Sequence, residues 1–229
     1  MNIALLKLTC ETPGAPGHEH RVREVVLKEL KGLADEVSID KMGNVTAVRR
    51  GRERKKVMSA AHMDEIGFIV THIDDKGFLR FHTLGGFDPK TLTAQRVIVH
   101  GKEDIIGVMG SKPIHLMSPE ERNKAPQIQD FFIDLGLPKK KVEKLVSVGT
   151  PVTRQRELIE MGNCVNCKSI DNRVSVFILL ETLRKLKGNI PYDFYAAFTV
   201  QEEVGLRGAG VAAHHIEPDF GINLDTTIA

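Results

Sequence analysis

The chain has 229 residues, enough to bury a sizeable core as one large domain or two modest ones. Hydrophobic residues make up 41% and charged residues 27%, and the net charge of +2 comes from interspersed acids and bases, which leaves no basic stripe of the kind that nucleic acid selects. No apolar run approaches membrane-spanning length and Met1 to Lys7 lacks a signal-peptide core, so a cytoplasmic protein without membrane contact is expected.

The opening third reads as α/β. Pro13-Gly14-Ala15-Pro16-Gly17 is a loop, and Glu19 to Leu30 carries Val22, Val25, Val26 and Leu30 at helical spacing, with Gly32 as the stop. Short strands are predicted at Val37 to Ile39 and Val45 to Val48 around the turn Lys41-Met42-Gly43-Asn44. The basic run Arg49 to Lys56 reads as a solvated hairpin loop, followed by a compact strand from Lys56 to Ala61 that runs straight into His62-Met63-Asp64-Glu65.

From about Ile66 the pattern changes. Ile66 to Ile73, Phe78 to His82, Arg96 to His100 and Ile105 to Met109 are short strands separated by glycine turns, which suggests a small β-barrel or sandwich. Ser118 to Pro126 is polar and reads as a mobile stretch; Pro138 to Leu145 reads as a short helix with a basic outer face. The α/β pattern returns after Asp171. Asp171 to Leu186 is apolar on most faces and so reads as a buried helix. Asp193 to Val200 is a strand, Gly208 to His214 a short helix of small residues, and Phe220 to Leu224 another strand. The simplest architecture is an α/β catalytic domain in two parts, 1–65 and 164–229, interrupted by an inserted β-rich, barrel-like domain at 66–163. Three cysteines make no disulfide framework, and Cys164 and Cys167 lack the second pair that a four-ligand zinc site needs, which leaves a local disulfide or two thiols.

Four places share one geometric theme: an apolar strand ends, or a buried helix begins, at a metal-type side chain. His62 and Asp64 follow the first long strand, Glu202 and Glu203 follow the strand ending at Val200, Asp225 follows Leu224, and Asp171 opens the buried helix. In open α/β sheets functional groups gather at the carboxyl ends of strands. If these strands are parallel neighbours, one imidazole and several carboxylates converge, and unpaired carboxylates would repel and resist burial. Two divalent cations about 3.5–4 Å apart resolve that repulsion, lower the pKa of a bound water and polarise a carbonyl. Taken singly, each residue has an ordinary explanation: a hydrogen-bonded strand-end histidine, helix N-caps at Asp171 and Asp225, a solvated glutamate pair. Only the set carries information.

Ala61-His62-Met63-Asp64-Glu65-Ile66-Gly67, Ser169-Ile170-Asp171-Asn172-Arg173, Val200-Gln201-Glu202-Glu203-Val204-Gly205 and Asn223-Leu224-Asp225 occur in that order, preceded by Pro13-Gly14-Ala15-Pro16-Gly17-His18-Glu19. Together they resemble the tetrahedral (TET) aminopeptidases, also called glutamyl aminopeptidases and in places endoglucanases, over nearly the whole chain. The resemblance implies a zinc-exopeptidase-like fold that removes N-terminal residues from peptides with two divalent metal ions, zinc first and cobalt as the alternative. His62 and Glu203 would hold one metal, Asp171 would bridge both, Asp225 would hold the second, Glu202 would be the general base, and Asp64 would orient His62. The resemblance also implies a homo-oligomer, a hollow dodecamer in which the β-rich insert makes contacts.

The family pattern continues for about another hundred residues and supplies a final histidine to the second metal. The expectation is therefore a chain whose second site is incomplete and whose peptidase activity is weak, with His214 or His215 as the substitute candidates. The rival readings are a related two-metal carboxypeptidase or amide deacylase, and a non-catalytic, self-assembling peptide-binding protein.

Overall fold

A computed structural model describes residues 2–227, which fall into two units: Met1–Glu65 with Glu157–Ala229, and Ile66–Arg156. In chain order the elements are α1 (Ile3–Glu11), α2 (His20–Glu29), β1 (Glu36–Ile39), β2 (Val45–Arg49), β3 (Glu53–His62), β4 (Gly67–Ile73), β5 (Leu79–Leu84), β6 (Arg96–His100), β7 (Asp104–Ser111), α3 (Pro119–Arg122), β8 (Phe131–Asp134), α4 (Lys139–Leu145), β9 (Pro151–Arg154), β10 (Ile159–Met161), β11 (Cys164–Asn166), α5 (Ile170–Lys185), β12 (Tyr192–Thr199), α6 (Arg207–Ile216) and β13 (Phe220–Asn223).

The first unit is built on a five-stranded sheet in the order β1-β2-β12-β3-β13. β1, β2 and β12 pair antiparallel, whereas β12 and β13 both run parallel to β3. The period-2 alternation of strands sorts side chains onto two faces. Ala61, Ala196 and Phe198 pack with Leu6 of α1, Val22 and Val26 of α2, and Val176, Leu179 and Leu180 of α5. On the opposite face Met58, Ala60 and Ala197 pack with Ala212 and Ile216 of α6. The sheet is thus the middle layer of three.

The basic run after β2 is not a hairpin loop. β12 lies between β2 and β3, so the chain from Arg49 to Glu53 crosses its end. Gly51 is pressed against the Tyr192 backbone there, where a Cβ would stand 2.2 Å from the carbonyl carbon. Arg50 is exposed yet held: it donates to Asp193 Oδ2 at 2.6 Å, to Tyr195 Oη at 3.1 Å and to Glu36.

The second unit is a closed six-stranded barrel, β4-β5-β8-β7-β6-β9, closed by pairing of β9 with β4. Phe68, Val70, Leu79, Val97, Val99, Met109, Ile133 and Val152 fill it. Its last strand is β9, and residues 157–163 group with the first unit instead of the insert expected at 66–163; there β10 and β11 form a separate hairpin. The stretch Ser118 to Pro126 carries structure: Ser118 and Glu121 form a capping box that starts α3.

Gly208, in the first turn of α6, touches the sheet. A Cβ there would stand 2.3 Å from Val200 O and 2.5 Å from Asn44 Oδ1. Gly208→Ala is expected to cost about 1–3 kcal/mol, since backbone atoms cannot move aside cheaply; a urea midpoint unchanged from the parent would contradict this contact.

Candidate metal centre

The register of the parallel strands puts their carboxyl ends side by side. His62 is opposite Thr199, and Ala60 is opposite Asn223. The segments that follow therefore leave the sheet at one edge: Met63 to Glu65, Val200 to Glu203, and Leu224 to Asp225. α5 begins above the same edge, although Asp171 and Asn172 depart from helical backbone geometry, so the regular helix starts after them.

His62 Nε2 is the centre of the cluster. It lies 3.2 Å from Asp171 Oδ1, 3.6 Å from Glu202 Oε2 and 4.0 Å from Asp225 Oδ1. His62, Asp171 and Asp225 form one group of atoms within 4.8 Å of each other, and His62, Glu202 and Glu203 form another. The imidazole is buried, while Asp171 and Asp225 stand open to solvent. The opposite ring nitrogen, Nδ1, is 3.2 Å from Asp64 O and 3.4 Å from Asp64 Oδ1. A proton held on that side leaves Nε2 facing the carboxylates.

The electrostatics of the cluster follow from one imidazole among several carboxylates. Burial alone would lower the pKa of His62, but hydrogen bonds to Asp171 and Asp64 and the charges of Asp64 and Glu202 outweigh it and hold the ring at about 10. Burial, followed by repulsion from Asp171, Asp64 and Glu202 against the attraction of His62, raises the Glu203 carboxyl to about 7. Burial and the other carboxylates raise Glu202 as well. Several acids here compete for a single positive charge. One imidazole nitrogen and four carboxylates form a donor set that suits zinc and similar divalent cations. The residues present therefore fit a metal.

Asp64, fully buried, has a further structural task. Its Oδ1 accepts the backbone N–H of Glu202 and its Oδ2 that of Glu203, each at 3.0 Å. Other supports of this loop had no role in the sequence reading. Glu19 Oε1 accepts from Gly17 N at 2.8 Å and Gln201 N at 3.1 Å. Asn44 Oδ1 accepts from Val200 N at 2.9 Å, and its Nδ2 donates to Gly208 O at 3.0 Å. Gln201 itself has φ 55°, a conformation costly for a non-glycine residue, which these bonds hold in place. Asn172 Nδ2 donates to Leu224 O at 2.8 Å and so ties the Asp171 segment to that of Asp225.

Beneath the cluster lies a buried ion network. Glu65 Oε1 takes the Lys168 ammonium in a close ion pair, Gly14 N at 3.2 Å and the Arg173 guanidinium at 3.6 Å. Arg173 also donates to Thr9 O at 2.6 Å and Thr12 O at 2.7 Å. An open cavity of ≈ 380 Å³ adjoins His62, Glu202 and Asp225, walled by Met58, Ala60, Leu206 and Ile222. The two substitute candidates lie away from the centre: His214 and His215 are exposed in the last turn of α6 and belong to neither group. No helix among the described residues is long and apolar enough to cross a membrane.

Known proteins resemble this chain in sequence and in fold. The sequence profile of the M42 glutamyl aminopeptidases matches residues 43–229. A lysyl aminopeptidase of Pyrococcus furiosus is 38% identical over 234 residues, covering 98% of this chain and 66% of the relative. The crystal structure of a TET aminopeptidase from a marine-sediment Thaumarchaeota archaeon superposes with a TM-score of 0.96 at 37% identity, covering 99% of this chain and 66% of that one. The TET1 peptidase of Pyrococcus horikoshii, described as able to assemble into a tetrahedron or a large octahedral shell, matches with a TM-score of 0.88 at 33% identity, covering 97% of this chain and 68% of that one. The chain spans 65–66% of the length of the curated relatives that it matches first.

Proposed function

The chain belongs to the M42 glutamyl aminopeptidase family, and from that premise we propose that its His62 centre hydrolyses the N-terminal peptide bond of peptides. The observation that carries the proposal is the convergence of Asp171, Glu202, Glu203 and Asp225 on one buried imidazole nitrogen. Peptidases of this family are metal-dependent. His62 and Glu203 would hold one divalent cation, Asp171 would be shared, and Asp225 would hold a second; zinc fits the donors best, with cobalt as the alternative. When bound, such cations supply a Lewis acid for the scissile carbonyl and a water of lowered pKa.

The rest is the work of the chain's own groups. Glu202, held by the Asp64 carboxylate through its backbone N–H, takes the proton from the attacking water and returns it to the leaving amine. Asp64 keeps the His62 ring oriented from the Nδ1 side. A free α-amino group brings to this centre a nitrogen lone pair that an acylated nitrogen lacks, which favours a free amino terminus over an acylated one. The discriminating experiment compares aminoacyl-anilides with their N-acetyl derivatives and with carboxypeptidase substrates, before and after chelation. Cleavage of the free-amine substrates alone, lost on chelation, is the expected result; cleavage of the acetylated forms or from the carboxyl end would assign the site to a deacylase or carboxypeptidase.

Ligand counting sets a further expectation. A catalytic zinc has three protein ligands plus water. His62, Glu203 and Asp171 complete one set, whereas among the described residues Asp171 and Asp225 give the second cation two. The 229-residue polypeptide should therefore bind nearer one zinc than two, with an affinity at the second position lower by at least about 10- to 100-fold than that of a complete set. Two tightly held zinc ions per chain by elemental analysis would contradict the assignment.

Self-assembly is the second part of the reading. The barrel unit offers exposed apolar side chains at Ile106, Val108, Ile114 and Leu116, and the Pyrococcus horikoshii relative forms closed shells. Ile106→Glu combined with Ile114→Glu is expected to reduce particle mass by light scattering. Unchanged particles would place the contacts elsewhere.

A further inference from the structure

Cys164 and Cys167 stand three residues apart in the sequence, yet the thiol that meets Cys167 is Cys10. Cys10 lies in the last turn of α1 and is fully buried, Cys167 is half-buried between β11 and α5, and Cys164 is exposed. Cys167 Sγ lies 3.6 Å from Cys10 O. Ser169 Oγ donates to the same carbonyl at 2.5 Å and pins the segment to the end of α1. No disulfide is present among the described residues.

The surroundings favour a thiolate on one partner only. The Cys10 thiol, the backbone N–H groups of Lys168 and Ser169, and the charge of the buried Lys168 ammonium together outweigh burial and bring Cys167 down to about 6. The Cys167 contact and burial push Cys10 upward. The arrangement thus joins a half-exposed nucleophilic sulfur to a buried, protonated one in contact with it. Reactive cysteines have that first environment, and a resolving thiol occupies the second position.

We propose that Cys10 and Cys167 form a peroxide-responsive dithiol whose oxidation to a disulfide ties the end of α1 to the segment leading into Asp171. The Cys167 thiolate attacks one oxygen of hydrogen peroxide, the O–O bond breaks, and the departing hydroxide takes a proton and leaves as water. Cys167 is then a sulfenic acid. The Cys10 sulfur attacks the Cys167 sulfur, the S–O bond breaks, and the second hydroxide carries off the Cys10 proton as water. Two thiols have lost two electrons to the peroxide, and a dithiol reductant reverses the change. The proposal does not depend on which reaction the His62 centre performs.

The test treats the 229-residue protein with equimolar hydrogen peroxide at neutral pH, alkylates the remaining thiols after unfolding, and maps the peptides without reduction. The expected result is one intramolecular Cys10–Cys167 cross-link, alkylation of Cys164 alone among the three cysteines, and full reversal by dithiothreitol. Cys164→Ser should leave the cross-link intact. Cys10→Ala should stop at a Cys167 sulfenic acid that dimedone traps. A Cys164–Cys167 cross-link, disulfides between chains through Cys164, or retention of all three thiols would each overturn the proposal.

Discussion

Glu202→Gln is expected to lower peptide hydrolysis by about 10²- to 10⁴-fold in an active form of the protein, with metal content unchanged. The amide keeps the volume of the carboxylate and the backbone bond to Asp64, but it offers no basic oxygen to take a proton from water. The loss corresponds to about 3–5.5 kcal/mol of transition-state stabilisation. It should fall on kcat, because the proton transfer to Glu202 belongs to the transition state and the residue is not among those that would hold the metal. Steady-state kinetics paired with elemental analysis separate the roles of the two adjacent glutamates. Metal lost from Glu202→Gln and retained in Glu203→Gln would exchange them.

Glu65→Gln is expected to destabilise the fold by about 3–5 kcal/mol, because it leaves two buried cations facing each other. The Lys168 and Glu65 side chains are 2% and 0% exposed, and the Arg173 side chain is also 0% exposed. Burial already lowers the pKa of both Lys168 and Arg173, against the opposing pull of Glu65. Glutamine fills the space without supplying the charge. Adding Lys168→Met should recover much of the loss, since removing both charges of a buried pair is far less costly than removing one. Urea unfolding of the single and double variants measures both effects. Equal midpoints for Glu65→Gln and the parent would show that the network is not a stability element.

Most of the candidate site residues were legible because they follow a recognisable event. An apolar run stops and a His, Asp or Glu comes next, as at His62, Glu202 and Asp225. What made the pattern meaningful was parallel pairing of β3 with β12 and β13, a condition that the sequence posed and the structure meets. The same long-range pairing defeated the hairpin expected at Arg49 to Lys56, because β12 enters between β2 and β3 from far along the chain. β8 and β9 were missed for a related reason. Each has four residues, and β8 meets β5 through the single pair Leu79–Ile133, so neither shows a long alternating pattern. The supports of the site were also hidden. Glu19 stands at a helix start and Asn44 in a turn, and nothing in their spacing shows that they hold the 200–201 backbone. Arg173 stands at the start of a run that reads as a buried helix, and nothing in its spacing shows that its guanidinium is buried against Glu65 and α1.

The central claim is that a cation belongs at His62 Nε2. Zinc-soaked crystals of the 229-residue chain, measured across the zinc absorption edge, test it directly. The account predicts an anomalous peak about 2 Å from His62 Nε2, within bonding distance of carboxylate oxygens from Asp171 and Glu203, that disappears in His62→Ala. A direct His62–Asp171 contact persisting at saturating zinc, with zinc bound elsewhere or not at all, would contradict it.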